Sequence, residues 1–252
     1  MTAVYTLWLR DVVRFLRQRS RVVGALGSPI VFWALIGSGM HRSFRNLAGV
    51  GGASYLEFFF PGTLALIVLF TAIFSTISVI EDRQAGFMQG VLVAPVPRTS
   101  IVLGKVFGGT TLALAQALIF LALGPLVGVR LAPTGLVLVT GVLALIGFGL
   151  TALGFLIAWW LDSTQGFHAI MNLFLIPMWI LSGALFPPEG AATWIRALML
   201  VNPLTYGVSA LRVLLTPELT GAGPSLATSA IVMALFGLAM LAAAAAVVRR
   251  RV

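Results

Sequence analysis

The sequence predicts an all-α membrane protein. It reads as a single transmembrane domain over 1–252, with six transmembrane helices, an N-terminal amphipathic interfacial helix, a short cytoplasmic helix between spans 2 and 3, and short re-entrant outer helices between spans 5 and 6. Three observations carry this. Of 252 residues, 60% are hydrophobic and only 9% charged, whereas a soluble domain averages about 25% charged. The apolar residues gather into uncharged runs of the roughly 20 residues that cross a bilayer core as helix. The sixteen Lys and Arg sit at the ends of those runs and not along a soluble face with interleaved aromatics, so the net charge of +9 reads as a topology signal and not as a nucleic-acid surface. With no cysteine, disulfides, thiolate nucleophiles and Cys-ligated metals are excluded.

Residues 1–21 set Val4, Leu7, Trp8, Val12, Phe15 and Leu16 at helical spacing against Arg10, Arg14, Arg17 and Arg21. This predicts an interfacial helix whose arginines attract anionic lipid; the other reading is a basic flank that only orients the first span. A cleaved signal peptide is not expected, because no A-x-A site follows the apolar run. The spans are expected at 22–40, 58–80, 106–129, 134–160, 165–186 and 226–248, the fourth starting after Pro133 and the fifth kinked at Pro177.

Lys and Arg then orient the chain. With the N-terminus inside, the cytoplasmic segments hold Arg10, Arg14, Arg17, Arg19, Arg21, Arg83, Arg98, Lys105, Arg249, Arg250 and Arg251, and the outer side holds Arg42, Arg45, Arg130, Arg196 and Arg212. That excess places both termini and the 81–105 loop in the cytoplasm. The 187–218 connection is itself apolar, and its run from Ala197 to Leu211 is too short to span. Bounded by prolines, it suits two short helices that enter the outer leaflet and return.

Chemistry is sparse. The spans hold uncharged polar residues such as Gln116, Asn172 and Ser182, and His168 near the start of the fifth, read as a wetted or hydrogen-bonded residue. No H-E-x-x-H, paired intramembrane carboxylates or G-x-S-x-G occur, and Gly104-Lys105 lacks the upstream glycine and following Ser/Thr of a phosphate-binding loop. A carrier driven by ions would place charge at the midplane. Energy is therefore expected from outside the chain. Gly104-x-x-x-Gly108 and Gly124-x-x-x-Gly128 permit close helix approach without specifying a partner.

The 81–105 loop is the patterned one. Glu81 and Asp82 are expected at the positive N-terminal end of a new helix, Phe87, Met88, Val91 and Leu92 group on one stripe, Pro95 and Pro97 stop the helix, and Arg98 with Lys105 frames entry to span 3. The stripe predicts a partner, either the membrane surface or a groove on another protein; the alternative is an ordinary loop with incidental apolar residues.

The order acid-acid-x-x-x-Gly from Glu81 to Gly86, an apolar segment, Val93-Ala94-Pro95-Val96-Pro97-Arg98 and Ile101-Val102-Leu103-Gly104-Lys105 resembles the signature of the type-2 class of ATP-binding cassette (ABC) transporter permeases. Asn202-Pro203-Leu204-Thr205-Tyr206 with Ala210-Leu211-Arg212 is similar to that class between its fifth and sixth spans. The likeness covers essentially the whole chain and is nearest to drug-resistance permeases. It implies a non-catalytic permease in a prokaryotic plasma membrane, usually a homodimer, docked on two copies of a separately encoded ATPase that carries the ATP and Mg. This chain binds no cofactor or metal in that scheme. The coupling helix would lie within 83–92, with Glu81, Asp82, Arg83, Gly86, Phe87, Met88, Val91 and Leu92 as coupling residues. The N-terminal helix, with Trp8, Arg10, Arg14 and Arg17, would also touch the ATPase, and Trp194, Asn202, Pro203, Tyr206 and Arg212 would belong to the outer re-entrant segment at the exit of the path. Hydrophobic drugs, lipids or lipid-linked products suit the uncharged path; lipid-linked polysaccharide exporters share the architecture, and a self-sufficient carrier or channel is the alternative of another class.

Overall fold

The computed structural model describes residues 2–40, 54–94, 96–129, 131–219 and 223–250. Expectations placed on Arg42, Arg45, Pro95, Arg130 and Arg251, and on the side chains of Arg19, Arg21, Leu92 and Arg250, lie outside the described residues.

Among the described residues every regular element is helical. The order is α1 (Thr2–Arg17), α2 (Arg19–Gly39), α3 (Tyr55–Ser75), α4 (Ile77–Gln84), α5 (Phe87–Val93), α6 (Arg98–Leu121), α7 (Pro133–Trp160), α8 (Thr164–Trp179), α9 (Thr193–Val201), α10 (Pro203–Leu215) and α11 (Leu226–Arg250). Local chemistry accounts for many of the ends. Ser54, Ser163 and Asn202 cap α3, α8 and α10 with side-chain acceptors, and Pro133 and Pro203 open α7 and α10 where a missing N–H costs nothing.

Five stretches are long and apolar enough to cross a bilayer: Tyr55–Gln84, Arg98–Leu121, Pro133–Trp160, Thr164–Ala184 and Leu226–Arg249. The pair α9 and α10, bent by 88° at Asn202, makes a sixth if counted as one span. The chain is thus an integral membrane protein. The first span expected at 22–40 is not among these stretches: in α2 the apolar part is Leu26–Gly39, about 21 Å at 1.5 Å per residue, short of a bilayer core of about 30 Å. The core centres on α3 and α4, where 78% of the apolar window is buried against 22% in α11. Around α3 stand α2, α6, α7, α8 and α10, and α11 leans on α7.

Three boundaries differ from the sequence expectation. Helix continues past Ile80 to Gln84, so Glu81 and Asp82 close span 2 instead of opening the next helix. Span 3 begins at Arg98 and ends at Leu121, ahead of the turn at Gly124–Val127, so Lys105 lies two turns inside it and is buried. Span 5 runs through Pro177 into a wide π turn, Ile180–Ala184, before it stops. The first two shifts share one cause: the charges expected to end the apolar segments neutralise one another and can be enclosed.

Candidate functional site

At one end of the bundle α1 lies against α6. The crossing is close because Gly104 carries no side chain: a Cβ there would stand 2.7 Å from Leu7 Cβ. Gly108 faces Asp11 Cβ at 3.4 Å, so the Gly104-x-x-x-Gly108 pair is the seat of α1. Trp8 donates its indole N–H to Thr111 Oγ1 at 3.0 Å.

Three cations and three carboxylates meet at this seat. Asp82, 1% exposed, accepts a forked pair from Arg10 at 2.6 and 2.8 Å, one bond from Arg14 at 3.1 Å and one from Lys105 at 2.6 Å. Lys105, 3% exposed, also donates to Asp11 at 3.1 Å and to Ser78 Oγ at 3.1 Å. Arg14 reaches Glu81 at 2.9 Å. Arg10, Arg14 and Lys105 thus balance Asp11, Glu81 and Asp82, which is what allows charge to be enclosed here. Burial pushes the Asp11 carboxyl above the ordinary carboxylate range, with Lys105 pulling the other way. The bond to Asp82 raises the Arg10 guanidinium, burial opposing it.

The guanidinium of Arg10 also lies 3.8 Å from the ring centre of Phe87, the first residue of α5. That short helix is launched by Gly86 at φ 74, a left-handed conformation that favours glycine. Met88 turns inward and is 2% exposed, while Gln89, Gly90 and Val93 face outward, Val93 at 87%. Arg83 does not face outward. It donates to the carbonyls of Ala158, Trp159 and Leu161 at the C-terminal end of α7 and pairs with Asp162 at 3.3 Å; Gln84 donates to the Asp162 carbonyl at 2.8 Å.

The structure therefore corrects several sequence expectations. Arg10 and Arg14 were expected toward lipid or a partner, yet their charge is spent on Asp82 and Glu81; Arg17 is exposed. Met88 belongs to the protein's own core, because the apolar stripe on so short a helix divides between core and solvent. Asp11 and Lys105 were not expected in the site. Asp11 had a signal: it sits at i+4 from Leu7 and i−4 from Phe15, on the apolar side of α1.

Between α2, α3 and α8 opens a cavity of about 650 Å³, reaching Phe15 at the charged end. Phe32, Phe70, Phe74, Trp179, Thr71 and His168 are among its walls, and the His168 and Phe74 rings lie 4.8 Å apart. Thr71 donates to Gln116 Oε1 at 2.7 Å behind that wall. At the opposite end Trp194 is 67% exposed on α9, Tyr206 donates to the Leu200 carbonyl at 3.0 Å, and Arg212 is buried on α10.

Residues 2–216 match the family described as ABC-2 type transporter. The chain is 26% identical over 213 residues to the putative transport permease ycf38 of Cyanophora paradoxa, covering 84% of this chain and 73% of that one. It is 30% identical over 159 residues to the probable multidrug ABC transporter permease YbhR of Escherichia coli K12, covering 60% and 42%. Nodulation protein J of Neorhizobium galegae is 26% identical over 214 residues, covering 82% and 78%.

Proposed function

Because the chain belongs to the ABC-2 type transporter family, and is on that ground a transport permease, we propose that it is the membrane subunit of an ATP-driven exporter, powered by a separately encoded ATPase. The observation that carries this reading is the ionic cluster joining α1, the end of span 2 and the start of span 3, with α5 held beside it through Arg10 and Phe87. A rigid joint of this kind passes force from a docked subunit into spans. The ATPase contacts the outward face of α5 at Phe87, Gln89, Gly90 and Val93, and the exposed side of α1 at Arg17. This end is cytoplasmic, since it gathers Arg10, Arg14, Arg17, Arg83, Arg98, Lys105 and Arg249.

Two permease copies and two ATPase copies make the working unit. The apolar face of α8 at Leu173 and Phe174, 71% and 63% exposed, supports a second copy or lipid against it. The substrate enters the cavity between α2, α3 and α8, whose apolar and aromatic walls suit a hydrophobic or amphipathic molecule better than an ion. The name of the multidrug permease relative points the same way. The aromatic rings also fit a lipid-linked glycan, whose sugars stack on such faces.

The test is co-reconstitution in proteoliposomes with a stand-alone ABC ATPase from the same genome, assayed with a lipophilic fluorescent dye. Export that needs ATP, with hydrolysis stimulated by the permease, is expected. Dye movement by the permease alone on an ion gradient would sink the reading.

A further inference from the structure

Span 5 is broken at the end far from the ionic cluster. Pro177 has no N–H to give, the next turn widens to the π form, and Gly183 takes φ 80, which favours glycine. The helical run stops at Ala184, so its last carbonyls have no following N–H to accept, and within a membrane protein those carbonyls must find others. Side chains of two other helices supply them. Asn202 Nδ2 donates to the Met178 carbonyl at 2.6 Å, Thr205 Oγ1 to Leu181 at 3.2 Å, the Arg212 guanidinium to Gly183 at 2.8 Å, and Tyr55 Oη to Leu185 at 2.9 Å. Within the turn, Ser182 Oγ donates to Trp179 at 2.6 Å.

Three of those four donors come from α10, at its cap, one turn in, and two turns beyond that, so they share one face. Arg212 is further held over the Phe58 ring of α3 at 4.4 Å. The same end of span 5 touches α3 directly: Trp179 Nε1 donates to the Gly62 carbonyl at 2.8 Å, and a Cβ on Gly62 would stand 2.7 Å from Ala184 Cβ.

We propose that Asn202, Thr205 and Arg212 are positioning residues that clamp the broken end of span 5 shut against α10. A regular helix carries its own ladder and moves as a rod. This end is held by separate side-chain bonds to another element, and such bonds exchange for water one at a time. The end therefore opens as those bonds are lost and closes as they re-form. Its part in transport rests on the permease reading, whereas the clamp itself is testable with neither ATPase nor substrate.

The chain has no cysteine, so Ser182→Cys, at a site 2% exposed, is a single reporter. The full chain in proteoliposomes is treated with a membrane-impermeant maleimide. In this background Thr205→Val, which keeps the shape and loses the hydroxyl, is expected to label about fivefold faster, the shift that follows loss of one net hydrogen bond. Thr205→Ser keeps the hydroxyl and should label at the parent rate, although it leaves more empty space. Arg212→Gln should also label faster; where that variant fails to insert, the Thr205 pair decides. Equal rates for Thr205→Val and the parent, or faster labelling of Thr205→Ser than of Thr205→Val, overturns the clamp, the latter because packing and not bonding would then be the cause. A failed transport assay alongside this labelling pattern would count against the permease reading alone.

Discussion

Asp82 is the residue on which most of the ionic cluster converges, because three cations address one enclosed carboxylate. Removing one member of a buried pair leaves the others uncompensated, at a cost of about 3–5 kcal/mol. Asp82→Asn is expected to lower the thermal unfolding midpoint of the purified permease sharply, while Asp11→Asn, which leaves Lys105 bound to Asp82, should lower it far less. Asp11 also carries a pH signature. Its carboxyl is raised in the folded protein, burial being the main cause, so the folded state binds that proton more tightly than the unfolded chain does. Between the ordinary carboxylate value and the raised one, the contribution of Asp11 to stability falls as pH rises. Unfolding midpoints measured across acidic pH should show this slope in the parent and lose it in Asp11→Asn; an unchanged slope would refute the assignment. Gly86 and Gly183 matter at this scale too, each at positive φ where a side chain would strain the backbone.

At the scale of the element, α5 shows how a short helix serves two masters. Its apolar stripe was legible as a docking signal, but a helix of seven residues has room for one face in the core and one outside. Met88→Asp is therefore expected to destabilise the permease by more than about 3 kcal/mol, since it buries an unpaired charge. Val93→Asp should change stability by no more than about 0.5 kcal/mol and yet abolish ATPase stimulation. Pull-down of the ATPase by the two variants, alongside their melting curves, checks this. Retained binding with Val93→Asp removes α5 from the interface. The seat of α1 follows a related rule. Gly104 and Gly108 were visible as a spacing in the sequence, but chance matches abound among 27 glycines, and only the placement of Leu7 and Asp11 against them assigns the partner.

For the whole molecule, the cavity is the feature that no single helix encodes. Its walls come from residues as distant as Phe15 and Trp179, so its aromatic lining was invisible as a pattern. Ser28→Trp, which places a large ring in that space, is expected to block dye export while ATP hydrolysis persists; undiminished export would move the path elsewhere. The sequence by itself determined that this is a helical membrane protein, roughly where five of its spans run, and which loop and which Asn-Pro segment were unusual. It could do so because bilayer thickness imposes a run length, and prolines and cap residues act on their immediate neighbours. Only the tertiary structure decided that Lys105 lies enclosed in span 3, that Arg10 and Arg14 turn inward, that Arg83 caps α7, and that Asn202, Thr205 and Arg212 hold the broken end of span 5. Each of those facts is a pairing between residues 23 to 94 positions apart, satisfied in a low-dielectric interior where an unpaired group is costly. Local pattern says that such groups need partners; the packing of the helices chooses which.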